Sequence, residues 1–320
     1  MLTLAIESTA HTFGVAVLKE ENILSNETHT FTTEKGGMIP NLVADHHKKY
    51  KNIVLEAALK KANTNLEQID IVAYSNAPGL APALMVGRDF AKELNKPLVG
   101  VNHIVAHLEI GLKTTKAQDP IFVFTSGANT QIIAHEGGKY RVFGEALSIA
   151  VGNALDKLGR ELELGFPAGP KIEQIAKKGK FIQLPYKVKG MDVEFSGILT
   201  KAMDLYQKGA SKEDICFSFQ ETCFAMLAEV TERALAHCEK DEILLIGGVA
   251  RNKRFSEMLN TMAEERNAKA YTVPFEYAGD NAAMIGYLGY LQYKANKKTE
   301  TKPDFYPRQR IDEIETFWKS

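Results

Sequence analysis

Apolar residues in this chain fall in short runs separated by amphipathic stretches, and the order of the two repeats. Residues 2–19 (LTLAIESTAHTFGVAVLK) predict a buried strand, a small polar turn and a second strand, and residues 121–135 (IFVFTSGANTQIIAH) repeat that layout. Residues 69–93 then predict a strand, a glycine-containing turn and a helix, and residues 242–265 do the same. A helical stretch precedes each, at 41–63 and 213–239. Two copies of hairpin, helix, strand and helix predict a duplicated α/β fold with a cleft between the halves. The expected units are an N-terminal lobe at 1–117, a C-terminal lobe at 118–292 and a polar tail at 293–320. Residues of about 165–205 have no counterpart in the first half and are expected to be an insertion. Pro303 and Pro307 break any helix in the tail, which either docks back on the first half or serves as an attachment point.

Charge narrows the range of functions. Thirty-nine Lys and Arg against 40 Asp and Glu exclude a chain held to nucleic acid by bulk positive charge, so any such contact needs a local patch or a partner. One patch exists: residues 171–190 carry six lysines against Glu173 alone, with Phe181 and Tyr186 interleaved, and read either as an RNA-backbone contact or as a solvated face. No apolar run is long enough to span a bilayer, and the first residues lack the pattern of a signal peptide. The three cysteines, Cys216, Cys223 and Cys238, have no C-x-x-C spacing and suggest neither a disulfide framework nor a cysteine metal site. The chain therefore reads as cytoplasmic.

Several short motifs carry candidate chemistry. His103 and His107 stand four apart in VNHIVAHLEIGL, where one helical face would offer both imidazoles to one metal ion; a chance pair is the other reading. Ile104 occupies the place of the glutamate in the H-E-x-x-H motif, which disfavours a zinc protease. The hairpin loops Glu7–Thr12 and Thr125–Thr130 are rich in small and hydroxyl residues that suit phosphate oxygens, or are ordinary turns. Gly247, Gly248 and Asn252 follow an apolar strand and open a helix, a place for a nucleotide with Asn252 on its sugar or base. Asp280, read alone, is the N-cap of an apolar helix.

Together these stretches resemble the tRNA N6-adenosine threonylcarbamoyltransferase family, the catalytic subunit of the KEOPS complex, in its archaeal and eukaryotic-like branch. The resemblance runs from Leu4 to about Trp318. It rests on AIESTAHTFGVAV, GGMIPNLVADHH, NAPGLAPALMVG, VNHIVAHLE, TSGANTQ, GNALDKLGREL, GFPAGPKIE, FSGILT, GGVARNKRF and YAGDNAAMIG, in that order. It implies the actin-like, Hsp70-like and sugar-kinase-like ATPase fold, with a nucleotide cleft between two lobes. It also implies one divalent metal, Fe2+ or Zn2+, on His103, His107 and Asp280, through which these three residues act in catalysis. Threonylcarbamoyl-AMP or ATP would be held by Thr125, Ser126, Gly127, Ala128, Asp156, Gly169, Glu173 and Asn252, with Phe124 beside them.

The implied reaction is transfer of threonylcarbamoyl from its adenylate to the adenosine 3′ of the anticodon in tRNAs reading ANN codons. The implied partners are tRNA, a small atypical kinase or ATPase, fused after the tail in some archaea, and a small dimerising subunit. Three positions depart from the family. Phe124 replaces a tyrosine that is usually a metal ligand, and Ala128 and Ala168 replace glycines, each expected to place a methyl near the nucleotide. These departures imply weaker activity or a reshaped pocket. A small-molecule kinase or ATPase of the same fold, and a nucleotide-binding scaffold that regulates the partner kinase, remain as alternatives.

Overall fold

The computed structural model describes residues 1–33 and 38–319; Gly36 and Gly37 of the GGMIP stretch lie outside the described residues, as does Ser320. Runs apolar on both faces become the central strands, as they do where helices cover both sides of a sheet. The first lobe contains β1 (Leu2–Glu7), β2 (Thr12–Lys19), β3 (Asn22–Thr30), α1 (Pro40–Lys61), β4 (Ile71–Ala77), α2 (Ala81–Glu93), β5 (Leu98–Asn102) and α3 (His103–Thr114). The second contains β6 (Ile121–Thr125), β7 (Thr130–Glu136), β8 (Lys139–Glu145), α4 (Val151–Glu161) and α5 (Gly169–Ala176). There follow the short pair β9 (Val188–Lys189) and β10 (Asp192–Val193), then α6 (Ser196–Gln207), α7 (Lys212–His237), β11 (Glu242–Ile246), α8 (Lys253–Glu265), β12 (Lys269–Thr272) and α9 (Phe275–Ala278). The last helix is α10 (Ala282–Asn296).

Each lobe has a five-stranded sheet, and the two share one topology: β3-β2-β1-β4-β5 and β8-β7-β6-β11-β12. In both, an antiparallel hairpin continues into a parallel pair, with β1 beside β4 and β6 beside β11. The duplicated fold expected from the sequence is present. Leu4, Ile6, Phe13, Val15, Val17, Val72 and Tyr74 form one apolar face of the first sheet, against α1 and α2. The opposite face is built of smaller residues, among them Ala5, Ala16, Ala73 and Val101, and α10 lies across it over β1, β2, β4 and β5. No helix among the described residues is long and apolar enough to cross a membrane.

The polar tail docks on both lobes. Glu300 N–H donates to Leu98 O at 2.8 Å, and Tyr306 N–H to Asn76 O at 2.7 Å, along the end of the first sheet. Farther on, Thr316 Oγ1 donates to Gly138 O at 2.7 Å, and Glu315 pairs with Lys139 on the second. Tail side chains also hold α3 near its start and middle. Gln309 Oε1 accepts from Asn102 at 3.2 Å, and Trp318 Nε1 donates to buried Glu109 at 2.9 Å.

Candidate metal and nucleotide site

The chain ends of the central strands meet between the lobes, the place where open α/β sheets bind ligands. β5 runs straight into α3, whose first residue is His103. Asn102 Oδ1 caps this helix by accepting from the N–H groups of Ile104 and Val105, both at 3.1 Å. His107 lies one turn on, and the two ring centroids are 4.7 Å apart. From the other side comes Asp280, immediately before α10. Its Oδ1 is 3.5 Å from His103 Nε2 and 3.4 Å from His107 Nε2. One donor atom from each of the three residues lies within 4.8 Å of the others, and two imidazoles with a carboxylate are a donor set suited to Fe2+ or Zn2+. The capping role expected of Asp280 falls to Asn281, whose Oδ1 accepts from Met284 N–H at 3.2 Å, so the aspartate is turned toward the histidines.

Glu7, at the end of β1, stands behind His103. Its Oε2 is 3.0 Å from His103 Nδ1, while its Oε1 accepts from Thr9 N–H at 2.7 Å and from Thr9 Oγ1 at 2.5 Å. A carboxylate on the far nitrogen fixes the imidazole tautomer and turns Nε2 toward Asp280, the arrangement that orients metal-binding histidines. Burial works against the charged form of His103, but Glu7 and Asp280 outweigh it and raise the imidazole to about 9. Burial alone would raise Asp280; the His103 charge and the His107 hydrogen bond hold it well below the usual carboxylate range. His107, fully buried, is pushed down by desolvation. A cation on these groups would displace the proton of His103 and compensate the two carboxylates. His11 Nδ1 lies 3.9 Å from Asp280 Oδ2 on the open side.

Phe124, in β6, is fully buried with its ring centroid 5.4 Å from that of His107. The neighbouring loop lies against the start of α4: Asn153 N–H donates to Gly127 O at 2.9 Å, and a Cβ on Gly152 would come within 2.4 Å of Ser126 O. Gly247 takes φ +97°, and a side chain there would come within 2.3 Å of Thr125 O, so glycine is what allows β11 to turn beneath this loop. Thr125 is buried, whereas Gly127 and Ala128 are exposed at the loop tip.

The remaining predicted nucleotide residues are brought to the same side, several with partners inside the protein. Asp156 accepts from Ala168 N–H at 2.8 Å, and burial raises its carboxyl. Glu173 accepts from Lys253 N–H at 2.9 Å. Asn252 caps α8 through Phe255 N–H at 3.1 Å and donates to Gln220 Oε1 at 2.9 Å, so both ends of its amide are engaged. The space beside Gly169 is open. Ala168 departs from expectation: it is fully buried, and its methyl turns inward onto Gly159 of α4. A cavity of about 580 Å³ adjoins the cleft, lined by Thr32 and Thr33 from the first lobe and by Gly165, Phe166 and Lys171 from the second. The five lysines Lys177, Lys178, Lys180, Lys187 and Lys189 are all exposed.

Two sheets of one topology around a cleft, with His103, His107 and Asp280 gathered as one possible metal-ligand group, define a protein of the actin-like ATPase fold. Solved structures share that fold. The activator of 2-hydroxyisocaproyl-CoA dehydratase from Clostridium difficile, with bound ADPNP, has a TM-score of 0.57 at 14% identity, covering 94% of this chain and 100% of that one. HypF from T. kodakarensis has a TM-score of 0.62 at 16% identity over 92% of this chain and 48% of that one.

Sequence relationships are closer and more specific. Residues 22–287 match the family described as tRNA N6-adenosine threonylcarbamoyltransferase. The protein of that name from Thermococcus sibiricus is 50% identical over 99% of this chain and 100% of its own length. That from Archaeoglobus fulgidus is 48% identical over the same shares. A Methanobrevibacter smithii protein named "Probable bifunctional tRNA threonylcarbamoyladenosine biosynthesis protein" is 44% identical over 99% of this chain, which spans 60% of that relative. The chain belongs to the tRNA N6-adenosine threonylcarbamoyltransferase family, acyltransferases of tRNA modification.

Proposed function

We propose that the protein transfers the threonylcarbamoyl group from threonylcarbamoyl-AMP to the N6 amine of the adenosine 3′ of the anticodon, in tRNAs reading ANN codons. It would do so in the cytoplasm, as the catalytic subunit of a KEOPS-type complex with a small kinase or ATPase and a small dimerising subunit. The observation that carries this reading is the near-full-length 50% identity to a transferase of that name. The bifunctional relatives support a fused partner domain, since each extends well beyond the segment matched here.

The donor is a mixed anhydride and already activated, so the reaction needs positioning and charge stabilisation rather than a protein nucleophile. The N6 nitrogen forms a bond to the carbamoyl carbon, the carbon–oxygen bond to phosphate breaks, AMP departs and N6 loses a proton. A divalent ion, Fe2+ or Zn2+, on His103, His107 and Asp280 would polarise the carbonyl and act as a template. Glu7 and Thr9 hold His103 in its tautomer. The Ser126 and Asn129 amides close the second hairpin loop on itself, and its exposed tip, Gly127 and Ala128, would offer backbone amides to the phosphate beside the start of α4. Asp156, Gly169, Glu173 and Asn252 line the place for ribose and adenine.

The test is reconstitution with the partner subunits, tRNA and the adenylate, followed by nucleoside digestion. Threonylcarbamoyladenosine is expected from the wild-type protein, and its loss from His103→Ala. No modified nucleoside, with active partners confirmed, would refute the reading.

A further inference from the structure

The most exposed large apolar side chain in the described chain is Phe275, at 71%, and it opens the short helix that leads to Asp280. It is not a loose ring. The Arg251 guanidinium lies over it, 4.2 Å from the ring centroid, and Arg251 Nη2 donates to Phe275 O at 3.0 Å. The same Nη2 lies 3.0 Å from where a Cβ on Gly279 would stand, so Arg251 spans from the ring to the residue before the metal-site carboxylate. Arg251 is exposed, as is Lys253 two residues on.

An aromatic ring left in water by the fold, backed by a cation and fixed by a backbone hydrogen bond, matches the chemistry of an unstacked nucleobase with its phosphate. The base stacks on the ring and the phosphate meets the guanidinium. An adenosine whose N6 amine enters a cleft must leave its own stack, which frees a face of the neighbouring base. We propose that Phe275 and Arg251 form a stacking platform for a nucleobase next to the acceptor adenosine, a positioning site for RNA at the mouth of the cleft. This inference rests on the reading of the chain as a tRNA transferase.

The experiment uses the reconstituted complex with saturating adenylate and varied tRNA. Phe275→Ala is expected to raise KM for tRNA by about tenfold, the order of one lost base stack, with kcat and nucleotide affinity little changed. Phe275→Trp should restore KM and so exclude a folding defect. 2-Aminopurine placed beside the acceptor in an anticodon stem-loop should lose fluorescence on binding wild type and Phe275→Trp, but not Phe275→Ala. Normal transfer by wild type, with KM and the fluorescence change both retained in Phe275→Ala, overturns the platform and leaves the functional reading standing. Loss of subunit assembly in Phe275→Ala, with RNA affinity intact, assigns the ring to a protein interface and also overturns it. Absence of transfer by wild type, with active partners confirmed, refutes the functional reading and the platform with it.

Discussion

Glu7 and His103 are 96 positions apart in sequence and 3.0 Å apart in space. In a lone sequence this carboxylate is only the first residue of a small polar turn, and nothing local distinguishes its role. The four-residue spacing of His103 and His107 was legible because it is a property of one helix; the carboxylate behind it depends on how β1 and α3 meet. Glu7→Gln keeps the shape and removes the charge. It should weaken metal affinity roughly 10- to 100-fold, read by competition with a chelator, and it should also lower the melting temperature of the metal-free protein, where Glu7 is the buried partner of His103. Asp280 shows the opposite difficulty. Two adjacent residues, Asp280 and Asn281, could each cap α10, and only the structure assigns the cap to the asparagine. Phe124 offers a test of the second hairpin. Its ring neighbours His107 but has no oxygen to give, so metal retention should be weak without nucleotide and stronger with it. Phe124→Tyr should raise metal affinity in a titration of the metal-free protein; an unchanged affinity would mean that the added hydroxyl does not reach the ion.

At the level of elements, the paired halves could be read because their central strands are continuous apolar runs closed by small polar loops. The third strands, β3 and β8, could not: NILSNETHT and KYRVFGE mix charged and polar residues, as edge strands do when one side meets water. The sequence left the tail between docking on the first half and serving as an attachment point, and its contacts with both lobes were not legible, since many of its bonds use backbone groups that carry no sequence signal. One helix-to-loop link has a measurable pH signature. His47 of α1 is fully buried and donates from Nε2 to Ala10 O at 2.9 Å, tying the helix to the loop after Glu7. Burial and the neighbouring His46 lower its imidazole from 6.5 to about 4. Below pH 6.5 the unfolded chain therefore takes up a proton that the folded chain refuses. Stability from this group is complete above that pH and lost as pH falls toward 4, by up to about 3 kcal/mol. Melting temperatures measured between pH 7 and 4.5 should fall more steeply for wild type than for His47→Gln.

For the whole molecule, a net charge of −1 leaves RNA affinity to local patches and to partners. Replacing Lys177, Lys178, Lys180, Lys187 and Lys189 with Gln should weaken tRNA binding regardless of sequence and flatten its salt dependence by about one unit of slope per lost phosphate contact. An unchanged slope would return these exposed lysines to plain solvation. The course of the chain has a further consequence. The first sheet has one of its two faces covered by α10, which follows all of the second sheet in sequence. A ribosome therefore releases β1 to β5 long before the helix that covers Ala5, Ala16 and Ala73 exists. During synthesis that half waits with an open apolar face, exposed to wrong pairings and to chaperones, while the second half is made. Asp280 is joined to the late helix through its Asn281 cap, so the three metal-site residues meet only when the first half is closed, and a chain cut short before Asp280 carries both histidines but not the carboxylate.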